Sequence, residues 1–112
     1  MTPAMKTIIY PAKDFEKAKA LFATLTGVAP HANSGPYYAY FESEGLHVGL
    51  DPNGQGGGPT AFWTVGDIGA SLDALLAAGA TLAQDVRNVG GGRLIATVKD
   101  ENGNTVGLMQ DA

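Results

Sequence analysis

The pattern Gly-x-x-Val-Gly-Leu is written twice in this chain, at residues 45–50 and again at 103–108. Ahead of each copy stands an apolar stretch closed by an aspartate, 8–14 and 61–67, which runs into a helical pattern of apolar residues. A sequence that repeats one unit in the same internal order folds as two like modules, and any function has to be built on that duplication.

The elements of one copy predict those of the other. Residues 5–12 alternate and favour a strand, with Pro11 at its edge or end. Asp14 is a good N-cap, the apolar helical face is Phe15, Ala18, Leu21, Phe22 and Leu25, and Gly27 stops the helix. A short strand at 28–32 and a turn at 33–36 follow, then a hairpin of 37–43 and 46–51 around Glu44-Gly45. In the second copy 60–65 is a strand, Asp67 the N-cap, and Ile68, Ser71, Leu72, Leu75 and Ala78 the apolar face, with Gly79 as C-cap. A strand at 80–86 precedes a hairpin of 94–98 and 105–109, joined by the turn formers of 100–104. The expectation is a single α+β domain over 1–112, with βαβββ modules at 5–51 and 60–110 and a linker at 52–59.

Several functions lack the residues they need. Eleven acids against seven bases give a net charge of −4 with no basic stripe, which argues against nucleic acid. There is no cysteine, so thiolate chemistry and Cys-ligated metal are out of reach. No apolar run has membrane-spanning length and no leader pattern opens the chain, so the expected location is cytoplasmic, with no membrane partner. The glycines of 52–59 and 90–92 invite a phosphate-cradle reading, but a cradle needs a helix directly behind it and strand patterns follow both.

The order β-α-β-β-β twice over, the Asp-capped helices and the closing Asp100-x-x-Gly103-Asn104-x-x-x-Leu108-x-Gln110 together resemble the vicinal oxygen chelate superfamily. It includes glyoxalase I, extradiol dioxygenases and bleomycin-resistance proteins. The resemblance covers nearly the whole chain. It implies two modules whose strands curl into a cupped mixed sheet around a cavity. It also implies that metal-dependent members place His or Glu on the first and last strand of each module. Anchored on the aspartate caps and the Val-Gly-Leu repeats, those positions fall on Thr7, Gly49, Thr60 and Gly107. Divalent ions there need imidazole nitrogen or carboxylate oxygen, and two threonines and two glycines supply neither. No metal and no cofactor are expected.

The remaining candidates sit on alternating strand positions. His47 shares Gly49's face and is a candidate acid-base group or ligand contact, with a plain strand histidine as the alternative. Tyr38, Tyr40 and Glu42 alternate onto one face, fit for a cavity wall or for ordinary packing, and Glu42 joins His47 as a catalytic candidate. Phe62 shares Thr60's face, Met109 shares Gly107's, and Trp63 is expected under the second helix. His31 reads as a surface histidine, and Arg87 and Arg93 as solvated. The expected ligand site is therefore Thr7, Tyr38, Tyr40, His47, Gly49, Thr60, Phe62, Gly107 and Met109, its floor vacant above the two glycines. Its ligand is expected to be a small, aromatic organic molecule. The alternative is a lyase, isomerase or dioxygenase-type enzyme using His47, a tyrosine or Glu42, or an unconventional metal site. A homodimer is expected, because an open sheet leaves free edges and an apolar face.

Overall fold

The computed structural model describes residues 3–31, 38–53 and 58–112. Seven strands and two helices appear among them in an α+β arrangement with mixed pairing: β1 (Ala4–Pro11), α1 (Phe15–Thr26), β2 (Ala39–Ser43), β3 (Leu46–Asp51), β4 (Thr60–Thr64), α2 (Ile68–Ala77), β5 (Thr81–Asn88), β6 (Leu94–Lys99) and β7 (Thr105–Gln110). The chain divides into two compact units, Thr7–Pro59 and Met1–Lys6 with Thr60–Ala112.

In the unit Thr7–Pro59, β3 runs parallel to β1 and antiparallel to β2. The β2–β3 hairpin turns through Glu44 at φ 48° and Gly45 at φ 87°. Two positive φ angles are what a two-residue loop needs to follow the strand twist, and glycine supplies one without penalty. Asp14 caps α1 by accepting the Lys17 N–H at 3.1 Å, and Gly27 ends it at φ 78°. The core packs Phe15, with Ala18 and Phe22 beside it, onto Ala39, Phe41 and Leu50. Leu21 and Leu25, expected on the buried face, are instead 67% and 77% exposed. The helical period allows a wide apolar arc, and the three strands cover only the part centred on Phe15 and Phe22. The strand expected at 28–32 is reduced, up to residue 31, to one bridge: His31 and Tyr40 exchange backbone hydrogen bonds of 2.8 and 2.9 Å. Ala32 and the turn expected at 33–36 lie outside the described residues, as does Tyr37.

The second unit pairs β4 parallel to β7, with β6 antiparallel to both β7 and β5. Its core places Ile68 and Leu72 of α2 on Val65, Ala96, Val98 and Leu108. Helix α2 is capped twice: Asp67 accepts the Ala70 N–H at 3.1 Å, and the Gln110 side chain accepts the Ile68 N–H at 2.8 Å. The helix ends on Ala78, with Gly79 at φ 111° just beyond it. Trp63 does lie on the α2 side, but it is 41% exposed rather than core. It lines an apolar groove of about 420 Å³ with Val65, Leu75, Val106 and Leu108. The β6–β7 turn is built on Asp100, whose carboxylate accepts the N–H groups of Asn102 and Asn104 and the Asn104 side-chain amide.

Candidate functional site

In each unit the strand face turned away from the helix carries the expected site residues. In the unit Thr7–Pro59 the registers are direct: Thr7 stands beside His47, Ile9 beside Gly49, Tyr40 beside Gly49 and Glu42 beside His47. The period-2 rule puts all six on one face, because Tyr10, Phe41, Val48 and Leu50 point the other way into the helix-side core.

The rings on this face form a continuous stack. His47 lies on Tyr40 with centroids 4.4 Å apart and planes 21° from parallel, and His31 lies on Tyr40 at 4.9 Å. Tyr38 is 6.0 Å from His47, its plane tilted by only 12°. His31 is exposed, as read from sequence, and also joins this cluster. The reason is the backbone bridge to Tyr40, a long-range pairing with no local signature. The Tyr38 hydroxyl and His47 Nε2 share a hydrogen bond of 2.7 Å, and Glu42 Oε1 lies 3.7 Å from His47 Nδ1. One imidazole therefore has a phenol on one nitrogen and a carboxylate facing the other.

Gly49 makes that arrangement possible. A Cβ there would fall on the Tyr38 hydroxyl and would stand 2.6 Å from Ile9 Cδ1 and 2.8 Å from Tyr38 Cζ. Gly107 plays the same part in the other unit, where a Cβ would sit 2.5 Å from Cδ1 of Phe62, its partner in register. The expected vacancy above the two glycines is thus corrected: Tyr38 and Phe62 occupy it. With no side chain at either glycine, the hydroxyl end of Tyr38 and the ring of Phe62 take the space over the strand. Phe62 and Met109 are both buried, at 7% exposure, as is Thr97, which faces Gly107 from β6. Thr60 is half-buried on the same face. At registers matching Glu42–His47 and Tyr40–Gly49, the second unit carries Lys99–Thr105 and Thr97–Gly107. At these registers the carboxylate, the imidazole and the tyrosine ring belong to the first copy.

A family profile described as the Glyoxalase/Bleomycin resistance protein/Dioxygenase superfamily matches residues 4–108. This chain belongs to that superfamily. A search of curated proteins finds no match. Solved structures with the same fold include a member of the superfamily from Vibrio splendidus, 18% identical at TM-score 0.72, covering 98% of this chain and 100% of that one. An NAD-dependent benzaldehyde dehydrogenase from Legionella pneumophila is 14% identical at TM-score 0.75, covering 95% and 98%. The Mn(II)-bound glyoxalase from Novosphingobium aromaticivorans is 21% identical at TM-score 0.70, covering 96% of this chain and 38% of that one. At these identities the likeness is one of fold, and a fold shared by such different activities does not choose among them.

The superfamily's metal chemistry can be tested against the residues present. Among the described residues no three His, Asp, Glu or Cys side chains gather as a metal-holding group. Thr7, Gly49, Thr60 and Gly107 offer no imidazole or carboxylate, and Tyr38 and Phe62 fill the space over the two glycines. Directly beside Thr7 the register brings His47, but its Nε2 is bonded to Tyr38. A divalent ion held by nitrogen and carboxylate ligands does not fit this donor set. No helix among the described residues is long and apolar enough to cross a membrane.

Proposed function

We propose that this superfamily member binds a small, flat, aromatic organic molecule, and does so without a divalent metal at the family's ligand positions. The observation that carries this reading is the half-buried stack of Tyr38, Tyr40 and His47, bordered by Glu42 and Thr7 on one strand face. Aromatic faces with a few fixed polar groups are the usual lining of small-molecule sites. An offset-stacked ring contact contributes on the order of 0.5–1.5 kcal/mol beyond area burial. Tyr40→Ala is therefore expected to weaken an aromatic ligand found by thermal-shift screening about tenfold. Equal affinity in Tyr40→Ala and in the unaltered chain would place the ligand elsewhere. Metal analysis of protein purified without a chelating tag is expected to find no stoichiometric Zn, Ni, Mn or Fe. A stoichiometric ion lost on changing His47 would refute the metal-free part.

The same reading takes the protein as a homodimer, supported by the exposed Leu21, Leu25 and Val28 on and after α1. A monomer mass by light scattering at micromolar concentration would refute it.

A second reading, an acid-base enzyme on the same fold, is favoured by one observation. The imidazole of His47 has the Tyr38 phenol on one nitrogen and the Glu42 carboxylate 3.7 Å from the other.

A further inference from the structure

We propose that Glu42, His47 and Tyr38 form a proton relay that interconverts the keto and enol tautomers of a small aromatic carbonyl compound carrying an acidic C–H. The proposal rests on this face being the ligand site.

The three groups are assembled by backbone register. Glu42 and His47 are directly opposed on β2 and β3, which sets the carboxylate 3.7 Å from Nδ1. Tyr40, stacked 4.4 Å from His47, holds the plane of the imidazole. The missing side chain of Gly49 lets the Tyr38 phenol cross β3 and bring its hydroxyl to 2.7 Å from Nε2. In the relay the Nδ1 proton faces the carboxylate, so Nε2 accepts and the phenol donates. The Glu42 arm is longer than a hydrogen bond, as acid-base contacts often are before a ligand closes the site. The duplication sharpens the point, because the matching pair in the second copy is Lys99 with Thr105 and builds no relay.

The chemistry balances without a metal or a co-reactant. Tyr38 passes its proton to His47 Nε2, leaving a phenolate beside an imidazolium that faces Glu42. The phenolate oxygen takes the C–H proton of the bound carbonyl compound. The C–H electron pair becomes a carbon–carbon π bond, and the carbonyl π pair moves onto oxygen as an enolate. The imidazolium then gives its proton to the enolate oxygen, forming the enol. Tyr38 keeps the abstracted proton and His47 is neutral again. Tyr38 and His47 are the groups that touch the reacting atoms, and Glu42 is a positioning residue.

The test uses the full chain with phenylacetone in heavy water, following the methylene signal by proton NMR as its hydrogens exchange. Exchange is expected to run about tenfold or more faster than in buffer with matched free imidazole and tyrosine. Tyr38→Phe should lose that enhancement while saturation transfer from protein to phenylacetone persists. Glu42→Gln should slow exchange several-fold and move the His47 ring-nitrogen shifts toward the other tautomer, a signature that a purely structural role would leave unmoved. Bound phenylacetone exchanging no faster than in buffer, or equally fast with Tyr38→Phe, overturns the relay and leaves the ligand site standing. No saturation transfer from the unaltered protein overturns the ligand site, and the relay with it.

Discussion

Gly49→Ala is the substitution that most directly probes how this site is built. The backbone at Gly49 is not in the left-handed region, so alanine meets no conformational penalty there and the whole effect is steric. The added methyl falls on the Tyr38 hydroxyl and stands 2.6 Å from Ile9 Cδ1. Tyr38 is half-buried, so its ring has a way out, and moving it gives up the 2.7 Å bond to His47. Losing such a bond costs about 0.5–1.5 kcal/mol. The displaced ring contact costs about 0.5–1.5 kcal/mol more. The sum, on the order of 1–3 kcal/mol, also matches the usual cost of overpacking. For a domain of this size each kcal/mol lowers Tm by about 4 °C, so a drop of roughly 4–12 °C is expected. Gly107→Ala should cost at least as much, because Phe62 above it is 7% exposed and has no comparable exit. Gly66→Ala, with nothing within 4 Å of its added methyl, should stay within about 0.5 kcal/mol. Scanning calorimetry gives the stabilities, and the His47 ring resonances report whether Tyr38 has left. Gly49→Ala with an unchanged Tm and unmoved His47 signals would refute the account of Gly49 as the seat of the Tyr38 ring.

Two further outcomes follow from the closing motif. Gln110→Ala removes the acceptor for the part-buried Ile68 N–H at the start of α2, and urea unfolding should show a loss of about 1–2 kcal/mol. A loss under about 0.3 kcal/mol would mean that water replaces the cap. Asp100 is held below the usual carboxylate range, first by the Asn104 side-chain amide and then by the Asn104 backbone N–H. A carboxylate whose folded pKa is depressed stabilises the fold above its unfolded pKa, and that contribution fades as pH falls through the folded value. Tm measured from neutral to strongly acidic pH should therefore fall less steeply in Asp100→Asn than in the unaltered chain. Superimposable curves would refute this role for Asp100.

The duplication, the helix caps at Asp14 and Asp67, the hairpin turn at Glu44-Gly45 and the superfamily were all legible in the sequence. Each depends on residues close together along the chain, where periodicity and turn chemistry act. The motif that made the superfamily recognisable, Asp100 through Gln110, proves to serve the fold. Its aspartate organises a turn and its glutamine caps a helix. The face of each candidate site residue also follows from period-2 alternation, so spacing alone groups Tyr40 with Glu42 and His47 with Gly49.

What strands do to one another across a sheet was not legible. Alternation assigns a face but not a register, and register is what sets Glu42 and Thr7 on either side of His47. His31 gave no signal because its place beside Tyr40 rests on a backbone bridge between residues with no local pattern linking them. The two glycines read as vacancies for a related reason. A glycine shows that a side chain is missing, but only the packed structure shows which neighbour's ring lies in the space. Leu21 and Leu25 fit the apolar helical face by spacing, yet α1 packs through Phe15, Ala18 and Phe22 and leaves both leucines exposed. Sequence determines which groups are available and which way they point. The distances between them are decided by long-range pairing and close packing, which bring together residues that no local rule connects.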